Sequence, residues 1–120
     1  MREASSGNWM NGIMTKILFS PEVRRDIMEI GDYIAYQLHN TSAARNLIAR
    51  IERAILSLAQ FPESGPLLSF PGLTIPYRHL TCGNYLIFYH LSEGAVQIDR
   101  ILYGRRDYLS ILFGEELETE

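Results

Sequence analysis

Four arginines in the second half of the chain, Arg78, Arg100, Arg105 and Arg106, stand among tyrosines at Tyr77, Tyr85, Tyr89, Tyr103 and Tyr108. Planar guanidinium forks match carboxylates and phosphates, while phenol rings stack on bases or pack in interfaces. In the apolar run from Ala95 to Tyr103, strict alternation places Arg100 on the face of Val96, Ile98 and Leu102, where an apolar group is expected. Two readings stay open. Arg100 either pairs with a carboxylate at the edge of the core, or lines a cleft whose rim Arg78, Arg105 and Arg106 share. Tyrosines at alternating strand positions are more often core or half-core residues.

Other chemistries find little support. His39, His79 and His90 fall on separate elements without i, i+4 pairing, so no metal is expected. No glycine-rich phosphate loop and no nucleophile elbow occurs, and no cofactor is expected. The single cysteine, Cys82, excludes an intrachain disulfide. With no secretory leader and no apolar run of membrane-spanning length, a cytoplasmic protein without membrane contact is expected.

The net charge of −3 is concentrated at the ends. Removing Arg2 from the eleven basic residues, and Glu3 with the four tail glutamates from the fourteen acidic ones, leaves ten against nine. Lys16 is the single lysine. Proteins that grip a polyanion broadly concentrate lysine and arginine, so wide nucleic-acid contact is disfavoured.

The elements that must position these residues are legible from periodicity. At 120 residues and 47% hydrophobic composition, one domain is expected. Residues 1–13 read as a loose extension with Met14 as an alternative start, residues 14–113 as the domain, and residues 114–120 as an acidic tail. Lys16 to Phe19 suggests a first strand. Ser20-Pro21-Glu22 supplies a cap, a first-turn proline and a favourable carboxylate. Val23, Ile27, Ile30, Ile34 and Leu38 then form one helical stripe. After His39-Asn40-Thr41-Ser42, a second helix carries Ala44, Leu47, Ile48, Ile51, Ile55 and Leu58 inward, with Arg45, Asn46, Arg50, Glu52 and Arg53 largely outward. Phe61-Pro62 ends it, and a proline- and glycine-rich loop follows.

Beyond Pro76 the period becomes that of strands, over Tyr77–Thr81, Asn84–His90 and Ala95–Tyr103. A short helix capped by Asp107 is expected over Tyr108–Phe113. The sum is a two-layer α+β domain: a helical hairpin packed on a three- to four-stranded antiparallel sheet in the order β-α-α-β-β-β.

Several pieces, in order, carry a resemblance. They are Ser20-Pro21 with Asp26, Ile30 and Tyr33-Ile34; Ala43-Ala44, Leu47-Ile48, Ile51, Ala54-Ile55 and Leu58; Phe61-Pro62 with Gly65; Tyr77-Arg78; Gly83-Asn84-Tyr85-Leu86-Ile87-Phe88-Tyr89; and Arg100-Ile101-Leu102 with Gly104-Arg105-Arg106-Asp107. Together they resemble the RelE/ParE superfamily of bacterial toxins. The resemblance implies the same element order and a cognate antitoxin, expected to be a small ribbon-helix-helix protein, that holds toxicity in check.

Two activities occur in that superfamily. RelE-like members cleave messenger RNA on the ribosome, which would cast Arg78, Arg100 and Tyr108 in catalytic roles with His79 as base. The chain lacks the accompanying lysines and has no His-Tyr pair near its end. ParE-like members poison DNA gyrase by protein contact, and the Phe-Pro-x-x-Gly exit and the Gly-Arg-Arg-Asp ending resemble that branch. On this reading no residue is catalytic. Arg78, Arg100, Arg105, Arg106, Tyr33, Tyr36, Tyr85 and Tyr89 become candidates for contact with antitoxin or target.

Overall fold

The computed structural model describes residues 15–68 and 76–104. The expectations for the N-terminal extension, the acidic tail and a helix over Tyr108–Phe113 lie outside them. The elements run β1 (Lys16–Phe19), α1 (Pro21–Asp32), a π-helical segment (Tyr33–Gln37), α2 (Thr41–Gln60), β2 (Arg78–Cys82), β3 (Tyr85–Ser92) and β4 (Ala95–Tyr103).

α1 begins where its capping chemistry requires. The Ser20 hydroxyl accepts from the Val23 amide at 2.9 Å and donates to the Asp99 carbonyl of β4 at 2.8 Å, joining helix start to sheet. Asn40 caps α2 in the same way, accepting from Ala43 N–H at 3.0 Å. Between the helices, the Leu38 amide reaches back five residues to the Tyr33 carbonyl at 3.3 Å. Such a wide turn inserts a residue and rotates the chain beyond it. Val23, Ile30 and Ile34 therefore stay buried, while Leu38, expected on the same stripe, is 55% exposed.

The sheet order is β1-β4-β3-β2. β2, β3 and β4 form antiparallel neighbours, with β3 and β4 joined by a tight turn in which Glu93 and Gly94 both take positive φ. β1 departs from the expected all-antiparallel sheet. It runs parallel to β4, Lys16 opposite Ala95 and Phe19 opposite Ile98, so the sheet is mixed. No tight turn links β1 to its neighbour, and side-chain alternation is the same in either orientation.

A bulge in β4 corrects a second expectation. Tyr89 pairs with Ile98 but Phe88 pairs with Arg100, leaving Asp99 as the extra residue. Alternation restarts beyond it. Ile101, not Leu102, joins Val96 and Ile98 in the core beneath the helices, with Ile51, Ile55, Leu58, Ile87 and Tyr89. Phe88 and Leu102 are buried as well, outside that cluster.

Candidate functional site

Arg78 and Arg100, the two described arginines of the expected rim, are each engaged within the chain. Arg100 forms a two-pronged pair with Asp26 of α1, Nε to Oδ2 and Nη2 to Oδ1, both 2.8 Å. The same Oδ2 accepts from the Ile101 amide at 2.9 Å. β1 stops opposite Ile98, and the Asp26 carboxylate serves in place of a continued strand at the uncovered edge of β4. Asp26 is 7% exposed and falls on the same helical stripe as Val23 and Ile30. Its hydrogen bonds push the Arg100 pKa further above the ordinary arginine value, against the opposing effect of burial. Of the two readings, pairing at the core edge is the one the geometry supports.

Arg78 is likewise engaged within the chain. Its Nη1 donates to the carbonyls of Glu63 at 3.0 Å and Gly65 at 2.8 Å, clasping the exit from α2. Tyr89, expected on a contact surface, is fully buried. Its hydroxyl donates to the Pro62 carbonyl at 3.0 Å and accepts from the Gly65 amide at 2.9 Å. Gly65 is required by proximity, because a Cβ there would lie 2.5 Å from the His79 carbonyl oxygen and 2.8 Å from the Tyr89 hydroxyl. The Phe-Pro-x-x-Gly signature thus encodes a packed loop exit.

The His79 ring lies 6.5 Å from the Phe88 ring, and its Nδ1 is buried without a hydrogen-bond partner among the described residues. The strand register sets His79 opposite Phe88 and Phe88 opposite Arg100, so one strand stands between the two. Arg105, Arg106 and Tyr108 lie outside the described residues. A third polar cluster went unnoticed in the sequence. His90 Nδ1 and Asp99 Oδ2 are 2.8 Å apart, and the Tyr77 ring meets His90 edge-on at 5.6 Å. Burial raises the Asp99 pKa although His90 works the other way, and burial followed by the Asp99 charge raises that of Tyr77. Among the described residues no group of three or more His, Cys, Asp or Glu is placed to hold a metal.

The described residues do leave an open hollow, in a different place. An open cleft of about 800 Å³ lies between the helical hairpin and the ends of β3 and β4. Ile30, Ile34, Leu38, Ala43 and Leu47 supply its apolar walls, Glu29 and Arg50 stand on different helices, and Gly83, Asn84, Tyr85 and Tyr103 close the sheet end. Tyr33 lines it and is 54% exposed. Tyr85 and Tyr103 meet edge-on at 5.6 Å, and burial, followed by the neighbouring phenols of Tyr103 and Tyr33, raises the Tyr85 pKa. Tyr36 is 71% exposed but does not line the cleft. Of the anticipated contact residues, Tyr33 and Tyr85 are brought together here. Arg50, expected on the outward face of α2, was missed; its signal is the Ala43, Leu47, Arg50 spacing of four and three.

Comparison with known proteins accords with this architecture. The toxin RelE2 of Caulobacter vibrioides is 31% identical over 94 residues, spanning 78% of this chain and 99% of the relative. The solved chromosomal ParDE toxin–antitoxin system from P. aeruginosa contains a chain of the same fold, with a TM-score of 0.62 at 20% identity, covering 75% of this chain and 96% of that one. A chain of the RelB–RelE antitoxin–toxin complex from Methanococcus jannaschii matches at 18% identity and a TM-score of 0.44, covering 80% of this chain and 98% of its own. Residues 17–108 match the family model of the ParE toxin of the type II toxin–antitoxin system, parDE, and the chain belongs to that family.

Proposed function

We propose that this ParE-family toxin acts by protein contact on DNA gyrase and is neutralised when a cognate antitoxin occupies the cleft between the helical hairpin and the sheet. The observation that carries the reading is the internal engagement of Arg78 and Arg100, the two described arginines that messenger-RNA cleavage would recruit. A guanidinium already bonded to a buried carboxylate is poorly placed to neutralise a developing phosphorane charge. A largely apolar cleft walled by exposed Tyr33 and half-buried Tyr85 and Tyr103 suits an amphipathic protein segment.

Two parallel assays test it. Purified toxin is expected to inhibit gyrase supercoiling of plasmid DNA and to leave messenger RNA intact in a translating ribosome extract. The reverse pattern would establish the endonuclease instead. Full-length antitoxin from the neighbouring gene should suppress the gyrase effect, and Tyr33→Ala should weaken antitoxin binding while the chain remains folded by circular dichroism.

A further inference from the structure

We propose that the cleft selects its antitoxin by charge as well as by apolar fit. The segment that fills it carries an apolar face, an acidic side chain opposite Arg50 and a basic side chain opposite Glu29. The inference rests on the antitoxin reading above and specifies the chemistry of the partner.

Along the cleft wall of α2, Ala43, Leu47 and Arg50 form one stripe, two apolar residues followed by a cation. Arg50 reaches towards the β2–β3 turn. Both its terminal nitrogens lie 3.8 Å from the position a Cβ would take at Gly83, which places the guanidinium beside that turn at the mouth of the cleft. Glu29 projects from α1 one helical turn before Tyr33. Asp26 and Arg100 satisfy each other below. Glu29 and Arg50 are exposed, and neither has a hydrogen-bond or ion-pair partner among the described residues.

The cleft thus offers one charge of each sign without a close partner among the described residues, beside an apolar floor. A segment that covers the floor removes water from both. An unpaired charge desolvated in this way opposes binding, whereas an opposite charge at the same place converts the penalty into a charge-assisted hydrogen bond. Because the signs differ and sit on different helices, they also fix the direction in which the segment lies. A reversed segment, or one from an unrelated antitoxin, meets like charges.

The experiment measures the dissociation constant of the full-length toxin with the purified full-length antitoxin of the neighbouring gene, by calorimetry at two salt concentrations. Arg50→Glu is expected to weaken binding at least about tenfold at low salt, with a smaller loss at high salt. Reversal of one antitoxin acid to arginine should restore most of the affinity for Arg50→Glu only. Arg53→Glu, an exposed α2 position outside the cleft, controls for charge and folding and should bind like wild type. Wild-type binding with Arg50→Glu unaffected would overturn the charge selection and leave the antitoxin reading standing. Loss that no single antitoxin acid reversal repairs would also overturn it. If wild-type toxin fails to bind, both fall. If it self-associates in light scattering and Arg50→Glu abolishes only that, the occupant is a second copy and the proposal is wrong.

Discussion

Asp26 and Arg100 illustrate how a pair that resembles part of a recognition site can be satisfied within the fold. The carboxylate is buried and answers three donors, so deleting its cation leaves a charge stranded. Arg100→Met is expected to destabilise the domain by about 3 kcal/mol in urea unfolding. Combined with Asp26→Leu it should cost much less than the sum of the single changes, because the second change removes the stranded charge. Asp99 gives a test of sign. Its pKa is raised in the folded state above the ordinary 3.8, so its contribution to stability is fully present below that value and is lost as pH rises through the folded one. Asp99→Asn retains an oxygen acceptor for His90. The stability of wild type relative to this variant should therefore fall as the pH is raised from about 4, read from urea midpoints at successive pH values.

At the scale of elements, the exit from α2 and the start of α1 are the joints that hold hairpin to sheet. The first is built by Gly65, Tyr89 and Arg78 around one loop, the second by the Ser20 hydroxyl between α1 and the β4 bulge. Tyr89→Phe leaves a buried amide and a carbonyl without their partner and should cost about 1–3 kcal/mol. Gly65→Ala forces a methyl against a backbone oxygen and should cost at least as much, since backbone yields less readily than a side-chain tip. Thermal midpoints should drop by roughly 4–8 °C per kcal/mol in a domain of this size. The helices and strands were legible because caps and periodicity are local. The π-helical turn and the β4 bulge were not. Each inserts one residue into a regular pattern, and whether an insertion occurs is decided by what packs on either side of it.

For the whole molecule, the balanced charge of the domain and its open, largely apolar cleft are the features on which the proposed protein contact rests. Among the described residues, no helix is long and apolar enough to cross a membrane. Antitoxin that binds the folded toxin alone must raise its stability by mass action, by about 2.7 kcal/mol at a hundredfold excess of free antitoxin over the dissociation constant. A thermal shift that grows with the logarithm of antitoxin concentration is the expected outcome, and Tyr33→Ala should reduce it.

The amino-acid sequence alone determined the element order, the Ser20 cap, the helical stripes as far as Ile34 and Leu58, and the family, all of which depend on residues close together in the chain or on their order along it. It marked Arg100 as anomalous without revealing its partner, which lies 74 residues away on another element. Only the tertiary structure decided that Arg78 and Arg100 turn inward, that β1 lies parallel to β4, and that Arg50 joins Tyr33 and Tyr85 at one cleft. Those outcomes arise from contacts between distant segments, where the direction of a side chain depends on which neighbouring surface is left uncovered once the chain has packed.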